Sequence, residues 1–287
     1  MGSLELEKEQ KAVRGHGDRH QPSVDSERYD RAYFLSACEG YTEFVNSEGR
    51  HLSRRLEQAF EVAEVNAGMR VLDVGCGRGE ILTHCTERGA TAYGIDYSAD
   101  AVRLASELAG EDGGGGVILA DAKALPFGSG VFDRVLMFDL VEHLHRWELC
   151  QALAEARRVL EHGGRLIIHT APNAWYDRYA YPVVRLVRTL MGQGNGYPRD
   201  PRAITPVNLD VHVNEQSALS LRDTLKRASF RSQVWLDTPP QDRSEGVFFR
   251  VARHVLFNWP PFRWFFEREV FAVARIDHRR VSRRGPT

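Results

Sequence analysis

The chain has 287 residues, 43% of them hydrophobic, enough to bury a full core as one large domain with insertions. Its formal net charge of -1 disfavours nucleic acid and other polyanions as partners. Cys38, Cys76, Cys85 and Cys150 form no CxxC pair and share no zinc-type spacing with histidine, so no metal site is expected and a reducing compartment fits.

The opening stretch MGSLELEKEQK has no apolar core of the signal-peptide kind, and Leu6 stands where a myristoylation signal requires Ser or Thr. No apolar run approaches the roughly 18–20 residues of a membrane span. A cytoplasmic location is the expectation. Residues 1–28 are polar and aperiodic and read as a flexible leader. From Tyr29 aromatic residues cluster at Tyr33, Phe34, Tyr41 and Phe44. Leu52, Leu56, Ala59, Phe60 and Ala63 then follow at helical spacing, which suggests a helical N-terminal lid.

Seven short β-branched runs come next, at 70–74, 91–96, 117–120, 131–138, 165–170, 232–237 and 270–276. Amphipathic stretches such as 101–109 and 147–160 separate the first five. Strands alternating with helices predict parallel pairing through crossover helices, hence an α/β, Rossmann-like sheet. Two long connections interrupt this order, at about 174–213 and 239–268. Both are rich in aromatic residues, so most of these rings are expected in the core or packed on one another, with the remainder lining an acceptor pocket, a dimer contact or a membrane-surface patch. Asn214 reads as the N-cap of a helix from 218 to 228. Arg279, Arg280, Arg283 and Arg284 read as a solvated basic end.

The first strand enters a glycine-rich loop, Asp73-Val74-Gly75-Cys76-Gly77-Arg78-Gly79-Glu80, which lets backbone approach a ligand closely. Asp96 ends the second strand, where a carboxylate can accept from both hydroxyls of a ribose. Asp121 follows the third strand, where it can accept from an exocyclic amine. Singly these are as readily turn formers or caps. Together, at successive strand ends, they mark the ligand-binding edge of an open α/β sheet. A dinucleotide fingerprint would need glycine at position 80, and Glu80 at a helix start suits a pyrophosphate poorly. Cys76 reads as a small spacer in this loop and Arg78 as a solvated surface charge.

These residues resemble the class I S-adenosylmethionine (SAM)-dependent methyltransferases. Asp73–Gly79 looks like their first motif, Gly94-Ile95-Asp96 like the second, and Asp121 with Leu125-Pro126-Phe127 like the third. Phe132-Asp133-Arg134-Val135 leading to Glu142-His143-Leu144, and Leu160-Glu161-His162-Gly163-Gly164, are similar to their later segments, with His162 where proline is common. The resemblance implies a seven-stranded sheet with an antiparallel last strand and helices on both faces. It also implies a SAM site in which Asp73, Gly75, Cys76 and Gly77 face the methionine part, Asp96 holds the ribose, and Tyr97 lies against the adenine. Asp121 and Ala122 would meet the adenine edge, with Phe138 near the sulfonium.

Methyl transfer needs alignment and desolvation, and a base only for a hydroxyl or protonated amine acceptor. His143, after the fourth strand, is the first candidate for that base and His169, ending the fifth, the second; Glu142 and Asp139 are weaker. Each also reads as a packed or capping residue. The expected function is SAM-dependent transfer, with oxygen as the first-choice acceptor atom, to a small or lipid- or sugar-linked molecule, amphipathic if the interleaved arginines of the second connection matter. A SAM-binding protein without catalysis is the alternative. A peripheral membrane contact and the oligomeric state stay open.

Overall fold

Seven strands form: β1 (Arg70–Val74), β2 (Thr91–Asp96), β3 (Gly116–Leu119), β4 (Phe132–Phe138), β5 (Leu160–Thr170), β6 (Phe230–Asp237) and β7 (Glu269–Ile276). They belong to a computed structural model that describes residues 21–109, 115–237, 256 and 259–278. The strand order is β3-β2-β1-β4-β5-β7-β6, with β7 antiparallel to both neighbours and the other contacts among β1–β5 parallel. This is the seven-stranded α/β sheet anticipated from the motifs.

The parallel strands are covered on both faces, which explains their nearly continuous apolar runs. On one face Leu149, Ala152, Leu153, Ala156 and Val159 of helix Arg146–Val159 pack against Leu72, Val135, Met137 and Ile168. On the other, Leu56, Phe60 and Ala63 of helix Arg54–Ala63 and Ile81, Leu82 and Cys85 of helix Glu80–Glu87 pack on Val71, Leu136 and Ile167. Each fully buried Leu, Ile or Phe contributes about 1.5–3 kcal/mol relative to exposure. β5 begins at Leu160, earlier than the β-branched run, because Leu160 pairs with Phe132 ahead of a register shift between Phe132 and Arg134.

Chain order reverses between β1 and β4, so the carboxyl ends of these strands part and open a crevice there. The described part of the connection between 174 and 213 is folded rather than loose, with helices at Tyr181–Leu190 and Asn208–Val211. Of the second connection, 259–268 carries helix Phe262–Phe266. The two connections meet: Trp175 stacks on Phe265 at 5.4 Å, and Asn173 Nδ2 donates to the carbonyls of Trp264 and Glu267 at 3.0 and 2.9 Å. Among the described rings of the two connections, Tyr181 is buried and Trp175 packs on Phe265, while Trp259, Phe262 and Trp264 are exposed. Phe248, Phe249, Phe257 and the arginines at 250, 253 and 279–284 lie outside the described residues. Among the described residues no helix is long and apolar enough to cross a membrane.

Candidate functional site

The glycine loop after β1 is held by its neighbour strand. The amides of Gly75 and Cys76 both donate to Ile95 O, at 2.8 and 2.9 Å, and the Gly77 amide donates to Asp96 Oδ2 at 3.1 Å. Gly75 has φ +77°, and a Cβ there would come within 3.0 Å of Leu140 Cδ1, so a side chain would be strained and would intrude on the crevice. Cys76 points into the core. Its Sγ would lie 2.9 Å from a Cβ placed on Gly94, and burial pushes its thiol well up.

Asp96 also accepts from the Ser98 amide at 2.9 Å. A carboxylate offers about four lone-pair positions, so acceptor capacity remains for a ribose hydroxyl beside these backbone bonds. Burial raises Asp96 to about 6, and burial together with Asp96 and Glu80 raises Asp73 to about 8. Asp121 accepts from the Lys123 amide at 2.8 Å and pairs with Lys123 Nζ at 2.9 Å; Lys123 Nζ also reaches Glu148 at 2.7 Å.

Two adjoining cavities open along this edge, and Gly75, Asp96, Tyr97, Leu140 and His143 line both. The first, about 410 Å³, is completed chiefly by Val24, Asp121, Ala122, Lys123 and Glu148. The second, about 770 Å³, is completed chiefly by Asp73, Gly77, Phe138 and Asp139 below and by Tyr29, Tyr33 and Phe34 above. Thus Asp73, Gly75, Cys76, Gly77, Asp96, Tyr97, Asp121, Ala122 and Phe138 all border one continuous crevice. Packing over it begins before residue 29: Tyr97 Oη donates to Val24 O at 3.2 Å, and Asp25 caps the turn Ser26–Arg28.

Residues 72–168 match the model of a methyltransferase domain. The chain is 35% identical over 119 residues to methyltransferase GfsG of Streptomyces halstedii, covering 40% of this chain and 42% of that one. It is 37% identical over 111 residues to a demethylmenaquinone methyltransferase of Thermobifida fusca, covering 37% and 46%. A SAM-dependent methyltransferase structure from Archaeoglobus fulgidus shares the fold at a TM-score of 0.51 and 22% identity, covering 81% of this chain and 98% of that one. Residues 72–168 form a class I SAM-dependent methyltransferase domain. The chain spans less than half the length of the two curated relatives it matches.

The cofactor of this methyltransferase domain is SAM, and the residues present fit it. A glycine cradle that a Cβ would crowd and two buried carboxylates suit a ligand bearing a sulfonium, an ammonium and a ribose. An anionic pyrophosphate would meet the Asp96 carboxylate instead of donors.

Arg78 corrects the sequence reading. It is buried, not solvated: Nη2 lies 2.9 Å from Glu80 Oε1 and Nε 3.1 Å from Oε2, while the guanidinium also donates to the carbonyls of Phe34 and Glu39. Glu80 is therefore the partner of Arg78, and the pair fastens the segment of Phe34 and Glu39 to the glycine loop. The neighbouring residue, Gly79, with φ +86°, lies so close to helix Ala99–Ala109 that a Cβ would sit 2.9 Å from Ala105 Cα.

The two histidine candidates separate. His143 lines both cavities, with Nδ1 3.0 Å from Tyr29 Oη and 3.2 Å from Val211 O. Burial lowers it to about 4, so it is neutral at pH 7. His169 is fully buried behind the wall, with Nδ1 2.8 Å from Asp139 and Nε2 3.2 Å from Glu269. Burial alone would lower its pKa, but these carboxylates outweigh that and hold it near 9. Fully buried and lining neither cavity, it cannot reach a substrate proton, which corrects its reading as a base. It positions Asp139 instead, a residue at φ 48° that burial disfavours as an anion but His169 and Arg55 keep ionised.

Asn214 is not the helix cap; Ser217 is, accepting from the Ser220 amide at 3.1 Å. The segment around Asn214 is pinned elsewhere, since the amides of Val213 and Asn214 donate to Glu142 O at 2.9 and 3.0 Å. That pin sets the His212 ring edge-on to His143 at 4.9 Å. Glu142, His143 and His212 thereby offer ligand atoms within 4.8 Å of one another, although no sequence spacing announced a metal-type cluster. Lys123 and Tyr29 line the crevice although the sequence did not single them out for it, Tyr29 having a signal in the aromatic run after the leader and Lys123 none. His212 stood out in the sequence only beside Asn214, as part of the approach to a helix.

Proposed function

We propose that the protein transfers a methyl group from SAM to an oxygen of a small, amphipathic acceptor, with the adenosyl part in the smaller cavity and the acceptor under Tyr29, Tyr33 and Phe34. The observation that carries this reading is the junction of the two cavities at Gly75, Leu140 and His143. A ligand lying across that junction brings its sulfonium end beside the only histidine on the described walls. SAM would supply an electrophilic methyl group. The chain's part is to align it, exclude water with the aromatic lid, and hold the acceptor oxygen near His143.

The apolar face of helix Tyr181–Leu190 supports the amphipathic acceptor. Val183, Leu186, Val187 and Leu190 are exposed on it, with Arg185 and Arg188 on the same helix. A lipid- or sugar-linked acceptor presented at a membrane surface would use such a face. The test is incubation of the full chain with SAM and a panel of hydroxylated acceptors, following S-adenosylhomocysteine. Calorimetry should show SAM binding, and product should form with at least one hydroxyl compound. Absence of SAM binding would overturn the reading.

A further inference from the structure

We infer that Glu142, His143 and His212 form a site for a divalent transition-series cation, and that this ion chelates an acceptor carrying two adjacent oxygens. The inference rests on the methyl-transfer reading above for the identity of the acceptor space, but the ion site itself rests on the three side chains.

Two imidazoles and one carboxylate converge within 4.8 Å. This donor set favours zinc, manganese, iron(II) or cobalt over magnesium and calcium, which prefer oxygen ligands alone. Metal–ligand bonds of about 2.1 Å place ligand atoms roughly 3 Å apart, so small rotations of the rings would close the set around an ion. Two further features suit a cation at this place. His212 is 92% buried, by its 8% exposure, and its Nδ1 has no hydrogen-bond partner. Glu142 is 1% exposed, and its carboxylate partners are neutral, the Thr170 hydroxyl at 2.7 Å and the Ala171 amide at 3.5 Å. No cationic side chain donates a hydrogen bond to this carboxylate among the described residues, so a bound cation would add to the compensation of its burial.

The surroundings are arranged as supports for ligands. His143 Nδ1 is within 3.2 Å of Val211 O, so as a donor there it leaves Nε2 with a free lone pair. Thr170 orients the Glu142 carboxylate in the same manner. Three protein ligands leave open positions, and His143 lines both cavities, so those positions border the acceptor space. A diol, catechol or hydroxycarbonyl would fill two of them. Bound there, a hydroxyl loses its proton to water more readily. Its oxygen then forms the O–CH3 bond as the C–S bond breaks and the electron pair stays on the thioether sulfur. No redox step is involved.

The test uses the full chain, dialysed against EDTA and titrated with CoCl2 under visible absorption, with SAM titrated by calorimetry in parallel. We expect one Co2+ per chain with an imidazole-ligated spectrum. Affinity should fall more than about 100-fold in His212→Ala and in Glu142→Gln, since even supporting residues are worth 10–100-fold. SAM affinity within about twofold of the parent certifies that a variant is folded; His212→Gln replaces His212→Ala if it is not. Catechol should then perturb the Co2+ spectrum and phenol should not; equal responses would overturn the chelating acceptor. Failure of the parent protein to bind Co2+, or equal binding by both folded variants, would overturn the ion site. SAM binding without Co2+ binding defeats this inference alone, whereas Co2+ binding without SAM binding defeats the methyl-transfer reading and leaves the ion site standing.

Discussion

Replacing Arg78 by methionine tests how the N-terminal segment is fastened to the glycine loop. The side chains of Arg78 and Glu80 are 1% and 6% exposed. Truncating the guanidinium leaves Glu80 buried without its counter-charge and takes donors from the carbonyls of Phe34 and Glu39. Breaking a buried ion pair from one side costs about 3–5 kcal/mol. At roughly 2 °C per kcal/mol for a chain of this size, Tm should drop by about 6–10 °C. The paired change Arg78→Met with Glu80→Leu removes the stranded charge as well and should recover more than half of that loss. Scanning calorimetry and urea titration measure both. SAM affinity should weaken in the single variant, because Phe34, whose carbonyl Arg78 holds, lines the larger cavity. A single variant within about 0.5 kcal/mol of the parent, the ordinary range for surface changes, would refute the argument and return Arg78 to solvent.

Asp96→Ala should weaken SAM binding more than about tenfold by calorimetry, since a buried acceptor of two hydroxyls is lost. Burial lifts the folded-state pKa of Asp96 from 3.8 to about 6. Its contribution to the stability of the free protein is therefore full below the ordinary value and lost as pH rises through about 6. SAM affinity runs the other way: the anion is the better acceptor, so binding should weaken as pH falls below about 6, and Asp96→Ala should flatten that profile. His143→Ala should slow turnover while leaving SAM affinity nearly intact, read as a fall in kcat with little change in the SAM dissociation constant; full activity would remove His143 from the chemistry. Gly79→Ala should cost about 2 kcal/mol or more in urea titration, because a left-handed conformation alone costs 1–2 kcal/mol and the new Cβ meets Ala105. An unaffected midpoint would mean that the loop relaxes freely.

Much of the sheet and of the crevice at its strand ends was legible because both depend on local patterns. Residues at strand ends report themselves by sequence order: Asp73 lies near the end of its β-branched run, Asp96 ends its own and Asp121 follows the third, and in a parallel sheet all such ends share one edge. Arg78 was misread because a charged residue in a loop is ordinarily solvated, and nothing local announces that carbonyls about forty residues upstream will enclose it. His169 was misread for a related reason. Ending a strand at the right edge suggested access, but β7 lies alongside it, pairing Phe271 with His169, and closes it off. Asn214 has the composition of a cap, yet Ser217 has the geometry.

The amino-acid order by itself determined the alternation of strands and helices, the glycine cradle and the row of carboxylates. Those features arise from hydrophobic period, backbone freedom and turn chemistry over a few residues. Tertiary structure alone decided which histidine meets the cavity and which is locked between Asp139 and Glu269, and it alone brought His212 to Glu142 and His143. The physical reason is separation along the chain. Burial, charge pairing and ring-to-ring contact between distant segments depend on how the insertions return to the sheet, and no local pattern encodes that return.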